Sequence, residues 1–189
     1  NNTNKVYGNT IAFAGTEFTS VGLTNADVVS SVTLTSAGAV NTAGVGMYAV
    51  NAANAVGARL TNYAISYVPG NLTVNAKGLT ITAGDTNKVY GNTIVFAGTE
   101  FTSVGLTNAD SVSSGTLTSG GAVNTAGVGS YAINASAATG VGLTNYAISY
   151  VAGSLAVNTK GLTITASNTN KVYGNTIVFA GSEYTSVGL

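Results

Sequence analysis

Apolar and polar residues alternate along this chain in short runs. In Leu79-Thr80-Ile81-Thr82-Ala83 the apolar positions fall on one face, which is the two-residue period of a half-buried strand. Thr93 to Ala97 reads as a second strand and Glu100 to Val104 as a third. Ser31 to Ser36 alternates as a fourth, and its later counterpart has Gly115 where Val32 stands. Val128 to Ala135 puts Tyr131, Ile133 and Ala135 on one face. Tyr146 to Val151 and Ser154 to Asn158, separated by Ala152-Gly153, predict an antiparallel hairpin. The same turn is written Val68-Pro69-Gly70-Asn71 earlier in the chain, where proline fixes its own φ and glycine permits the positive φ of a type II turn. No helical period occurs. About seven short strands spaced roughly 8–12 residues apart, with glycine between them, predict an all-β, Ig-like antiparallel sandwich.

The pattern itself recurs. Asn-Lys-Val-Tyr-Gly-Asn-Thr-Ile begins at Asn4, Asn87 and Asn170, each time after 83 residues. Asn4 to Thr86 matches Asn87 to Thr169 at 66 of 83 positions, and Asn170 to Leu189 departs from Asn87 to Leu106 only at Ser182 and Tyr184. The repeat is therefore the unit of fold. Boundaries at Lys77-Gly78 and Lys160-Gly161 divide the chain into residues 1–77, a sandwich repeat lacking its first strand; 78–160, a complete repeat; and 161–189, the start of a third. Both ends fall inside a repeat, so the segment is expected to be a window on a longer array. Linkers of two or three residues should hold successive units in a nearly fixed orientation, giving an elongated rod whose partners are first of all the neighbouring repeats. Units this similar are also expected to exchange strands when they misfold. The competing architecture is a parallel β-solenoid, but its coils repeat every 20 to 30 residues or so and no such subperiod lies within the 83.

Six basic and six acidic residues give zero net charge. Lys5, Arg59, Lys77, Lys88, Lys160 and Lys171 are scattered singly, so nucleic acid is not an expected partner. The alternating apolar runs argue against disorder. No apolar run approaches the length of a membrane helix. Cysteine is absent, which suits a chain exported unfolded.

Histidine is absent as well, so neither a His-based triad nor a zinc site can be assembled, and the chain is expected not to be an enzyme and to carry no cofactor. The carboxylates Glu17, Asp27, Asp85, Glu100, Asp110 and Glu183 form no Asp-x-Asp cluster of the kind calcium needs. Lys88, Glu100 and a nearby asparagine supply the residue types of a self-formed isopeptide bond, against the plainer reading of Lys88 as a solvated strand-edge residue and Glu100 as a surface or turn carboxylate. Tyr63 and Tyr67 could stack on sugars, against the plainer reading that tyrosines on such strands pack inward with the hydroxyl at the rim. Asn-x-Ser/Thr matches at Asn1, Asn71 and Asn134 do not recur between copies and carry no functional claim.

Taken together, Lys-Val-Tyr-Gly-Asn, Phe-Ala-Gly-Thr-Glu-Phe, Ala-Gly-Val-Gly-x-Tyr-Ala-Ile, Thr-Asn-Tyr-Ala-Ile-Ser-Tyr-Val-x-Gly-x-Leu-x-Val-Asn and Lys-Gly-Leu-Thr-Ile-Thr-Ala resemble the MBG-type repeats of giant filamentous-haemagglutinin-like bacterial surface adhesins. The resemblance covers the whole chain, although Asn-Thr-Ile stands where many such repeats carry proline after Tyr-Gly. It implies Ig-like sandwiches used as the stalk or filament of a secreted or cell-surface adhesin, spacing a binding tip from the cell or forming an extracellular fibre. The alternative is that each repeat is a weak glycan- or matrix-binding module acting by multivalency. Other copies of the fibre and host or matrix glycans are the further partners to consider.

Overall fold

In the computed structural model, which describes residues 2–188, the strands run in the order β1 (Thr3–Val6), β2 (Val28–Thr35), β3 (Gly46–Ala58), β4 (Gly70–Asn75), β5 (Lys77–Ala83), β6 (Thr86–Val89), β7 (Phe101–Val104), β8 (Ser111–Thr118), β9 (Gly129–Val141), β10 (Tyr146–Val151), β11 (Gly153–Asn158), β12 (Thr163–Ala166) and β13 (Tyr184–Val187). The chain is all-β, with single turns of 3-10 helix at Ala37–Ala39, Leu60–Asn62 and Leu143–Asn145 as its helical elements among the described residues.

The middle repeat contains seven strands in two sheets, ordered β10-β5-β7 and β6-β11-β9-β8. The sheets meet through Ala83, Leu117, Ile133 and Leu155, with Ile94, Phe96, Tyr131 and Ala135 packed around them. Ile133 and Leu155 are fully buried, as the alternation along their strands requires. Two facing sheets with a shared core make a sandwich, and a solenoid would instead stack successive coils.

The pairing is mixed. β5 runs parallel to β10, and β6 parallel to β11, while β7, β8 and β9 pair antiparallel with their neighbours. This overturns the hairpin expected at Ala152-Gly153. β10 and β11 lie in different sheets, so the chain crosses from one layer to the other there. Gly153 does not take the left-handed φ of a type II turn. Its need for a missing side chain is steric: a Cβ would lie 2.5 Å from the Ala83 carbonyl oxygen. The β5–β6 segment changes sheets at Gly84-Asp85 alongside it, and the Asp85 carboxylate accepts the Ser154 N–H at 2.7 Å. Two extended segments thus cross between layers side by side.

Three smaller corrections follow. Thr93 to Ala97 forms no strand; Ile94 donates its N–H to the Ala122 carbonyl, and Ile94 and Phe96 pack against the core. The strand in that part of the repeat is β6, over the Lys-Val of the signature. β9 extends past Ala135 to Val141, and its pairing with β8 contains register shifts that bend the strand.

Between β4 of the first repeat and β5 of the second stands a single residue, Ala76, in place of a linker of two or three. Residues 70–83 are therefore an almost unbroken extended run, roughly 45 Å long, that belongs to both repeats. The first repeat holds one sheet, ordered β1-β4-β3-β2, and residues 161–188 contribute the pair β12–β13.

Candidate functional site, the joint between repeats

Because β4 leads straight into β5, the end of the first repeat is pressed against the start of the second. One core crosses this junction: Tyr7 and Val74 come from the first repeat, and Leu79, Ile81 and Tyr146 from the second. Tyr48, Phe101, Leu106 and Ile148 pack against it. The Tyr7 and Tyr146 rings meet edge to face, with centroids 5.5 Å apart and planes at 80°.

Both hydroxyls donate to the same carboxylate oxygen, Asp110 Oδ2, Tyr7 at 2.9 Å and Tyr146 at 2.7 Å. Asp110 is placed by a tight turn closed by its own N–H on the Thr107 carbonyl at 3.0 Å. The two central residues, Asn108 (φ 55°) and Ala109 (φ 61°), are left-handed, as a type I′ turn demands. The Tyr146 hydroxyl also accepts the Thr107 N–H at 2.9 Å. Burial first, and the Asp110 carboxylate second, push the Tyr146 phenol up to about 12.

A polar rim surrounds this centre. Asn41 Nδ2 donates to Asn108 Oδ1 at 3.2 Å and Asn108 Nδ2 donates back to the Asn41 carbonyl at 2.9 Å. The Val45 N–H donates to Asn145 Oδ1 at 3.0 Å. Gly8 approaches Thr107 so closely that a Cβ on it would lie 2.7 Å from the threonine methyl. An apolar centre with a satisfied polar rim is how a fixed interface is built.

Each half of the joint recurs. Tyr7, Asn41 and Val45 return as Tyr90, Asn124 and Val128, and Thr107, Asn108, Asp110, Asn145 and Tyr146 have the counterparts Thr24, Asn25, Asp27, Asn62 and Tyr63. The receiving half stands assembled in the first repeat, where the Tyr63 hydroxyl donates to Asp27 Oδ2 at 2.8 Å. Arg59, in the place of Gly142, lies 3.4 Å from Asp27 Oδ1, but its side chain is 67% exposed, so the ion pair adds little. Tyr7 is 4% exposed at the joint, while Tyr90 is 45% exposed and Tyr173 fully exposed. The Asp110–Tyr146 pair packed on its ring contributes to the burial of Tyr7.

The residue types considered for an isopeptide bond are not brought together. Lys88 is buried, contrary to the solvated position expected, and its ammonium donates to the carbonyls of Asn92, at 2.8 Å, and Val123. Lys5 makes the equivalent bonds to Asn9 and Val40, and burial lowers its pKa. Glu100 sits in a turn, accepting the N–H groups of Ala97, Gly98 and Thr99 at 2.7–3.0 Å. These bonds, that from Ala97 foremost, hold its carboxyl below the usual range. Of the tyrosines considered as a sugar platform, Tyr63 is turned to Asp27, and the half-exposed Tyr67 accepts the Ala55 N–H at 2.9 Å through its hydroxyl. Asp110 and Tyr7 as partners escaped the sequence reading; the only signal for them is that both recur at the repeat interval.

No helix among the described residues is long and apolar enough to cross a membrane. Comparison with curated proteins and with solved structures returned no match. The profile of the MBG domain (YGX type) matches twice, over residues 1–73 and 79–156. With the Tyr-Gly of that type standing in each copy at the end of β1 and β6, this chain belongs to the MBG domain family of the YGX type.

Proposed function

We propose that these repeats are structural modules of the stalk or filament of a large secreted or cell-surface bacterial adhesin. They set distance, and they perform no chemistry. The observation that carries this reading is the joint: a buried Tyr7–Asp110–Tyr146 cluster whose two halves both recur at the 83-residue interval, so that any further copy can be added by the same contacts. An interface whose two faces differ and are both present on every unit can be propagated from each unit to the next. The one-residue connection at Ala76 leaves little freedom for the units to swing.

Small-angle scattering on chains of two, three and four repeats tests the mechanical part. The maximum dimension should grow by a constant increment per repeat, and Asp110→Ala should broaden the distribution of distances. A dimension that grows roughly as the square root of repeat number would mean a flexible string and reject the reading. The location is tested by protease treatment of intact cells that express the natural protein. Release of peptides from these repeats is expected, and their full protection would place the chain elsewhere.

A further inference from the structure

The two ends of the complete repeat lie side by side. Residues 77–89 enter it as β5 and β6, residues 146–158 leave it as β10 and β11, and the two segments cross between the sheets next to each other. β5 pairs in parallel with β10 and β6 with β11, and partners stand 69 residues apart throughout, from Lys77 beside Tyr146 to Val89 beside Asn158. At the crossing the Asp85 carboxylate keeps that interval by accepting the Ser154 N–H at 2.7 Å. Thr80 and Ser149 bond through their hydroxyls at 3.2 Å, and the Tyr90 N–H donates to the Asn158 carbonyl at 2.9 Å. The first repeat has the second half of the same ribbon: β1 pairs in parallel with β4 from Thr3 beside Leu72, and Asn2, in the place of Asp85, accepts the Asn71 N–H at 3.1 Å.

We infer that this ribbon is a shear clamp, the element by which each repeat carries tension along the array. The inference rests on the reading of the repeats as stalk or filament modules. Tension reaches the middle repeat at Lys77, through the one-residue connection at Ala76, and leaves it at Asn158. Because the two segments are parallel, these residues stand at opposite ends of the ribbon, roughly 40 Å apart. The inter-strand hydrogen bonds run across the strands, so a pull along them strains the bonds of both ladders together. Antiparallel end strands would put both attachment points at one end, where the ladder opens one bond at a time. Residues 91–145 lie off the path of the load, and Lys88 fastens β6 to them through the carbonyls of Asn92 and Val123. Resistance to pulling is then set by the rate at which the clamp fails, and not by the equilibrium stability of the repeat.

The chain has no cysteine, so thiol handles can be placed wherever force is to be applied. Ala76, Thr93 and Thr159 are exposed, and cysteine at any of them leaves the fold intact. In single-molecule pulling on the full chain, a grip at Ala76→Cys and Thr159→Cys loads the middle repeat along its natural path. It should give one abrupt step of roughly 230–260 Å, the reach of one drawn-out repeat less the length of the folded ribbon. A grip at Thr93→Cys and Thr159→Cys holds the same end of both segments, so the ladder peels, and the repeat should yield at less than half the force at the same loading rate. Equal forces for the two grips, or gradual extension without a step under the first, overturns the proposal. Scattering by multi-repeat chains tests the stalk reading with no force applied, so a straight rod whose repeats peel easily sinks the clamp alone, and a flexible string whose repeats resist shear sinks the rod alone.

Discussion

Tyr7 donates its hydroxyl to Asp110 across 103 residues of sequence, and that 2.9 Å bond ties one repeat to the next at the centre of a buried cluster. Tyr146 donates to the same oxygen, so a single carboxylate orders two phenols from two different units. Tyr7→Phe keeps the ring and removes the bond. A hydrogen bond to a charged group contributes about 1.5–3 kcal/mol, and the loss should appear as a lower denaturant midpoint for the two-repeat chain. Asp27→Asn, in the corresponding turn of the first repeat, should leave the joint unaffected.

The turn that presents Asp110 carries alanine in a left-handed conformation, Ala109 at φ 61°. Glycine adopts that φ without the clash between Cβ and carbonyl. Ala109→Gly should therefore raise stability by about 0.5–1 kcal/mol, read as an upward shift in the thermal midpoint. A lowered midpoint would mean that the turn is not strained there.

Alkali should loosen the joint before it unfolds the strands elsewhere. The Tyr146 phenol is raised in the folded state to about 12 from its ordinary 10.0, so its stabilising contribution is complete below pH 10 and is lost as the pH rises to 12. Phenolate absorbance should show one tyrosine titrating late, and Tyr146→Phe should remove that phase.

Acid acts on a different group. Backbone N–H groups, Ala97 first, depress the Glu100 carboxyl, so its contribution is present above the ordinary carboxylate pKa and fades as the pH falls through the lowered value. Glu100→Gln should narrow the difference in thermal midpoint between pH 7 and pH 3. Because Glu100 is exposed, the narrowing should be small.

Identical strands should respond differently to the same change. Leu79→Ala empties a site 1% exposed and should cost about 2–5 kcal/mol in chemical denaturation. Leu162→Ala, in the same Leu-Thr-Ile-Thr-Ala sequence but 49% exposed, should leave the midpoint nearly unchanged in dilute solution.

That contrast shows where local sequence stops determining structure. Tyr-Ala-Ile-Ser-Tyr-Val is strand β10 at 146–151 and irregular at 63–68, because β5 is beside the first and, among the described residues, no strand pairs with the second. A strand needs hydrogen-bonding partners, and alternation states only which face would be buried if a partner came. The misread Ala152-Gly153 connection has the same origin. Glycine at a junction suits both a tight turn and a passage between sheets, and the choice depends on the neighbouring Ala83 carbonyl, distant in sequence.

By itself the sequence determined the repeat and its 83-residue interval, the all-β class and the inward faces of Leu79, Ile81 and Ile133. These follow from periodicity, which is local and is written three times over. Only the tertiary structure decided which strands pair in parallel, that Lys88 is buried on carbonyls, and that Tyr7 meets Asp110 and Tyr146. Those contacts join residues tens of positions apart through space, and no pattern of polarity along the chain encodes which distant partner will arrive.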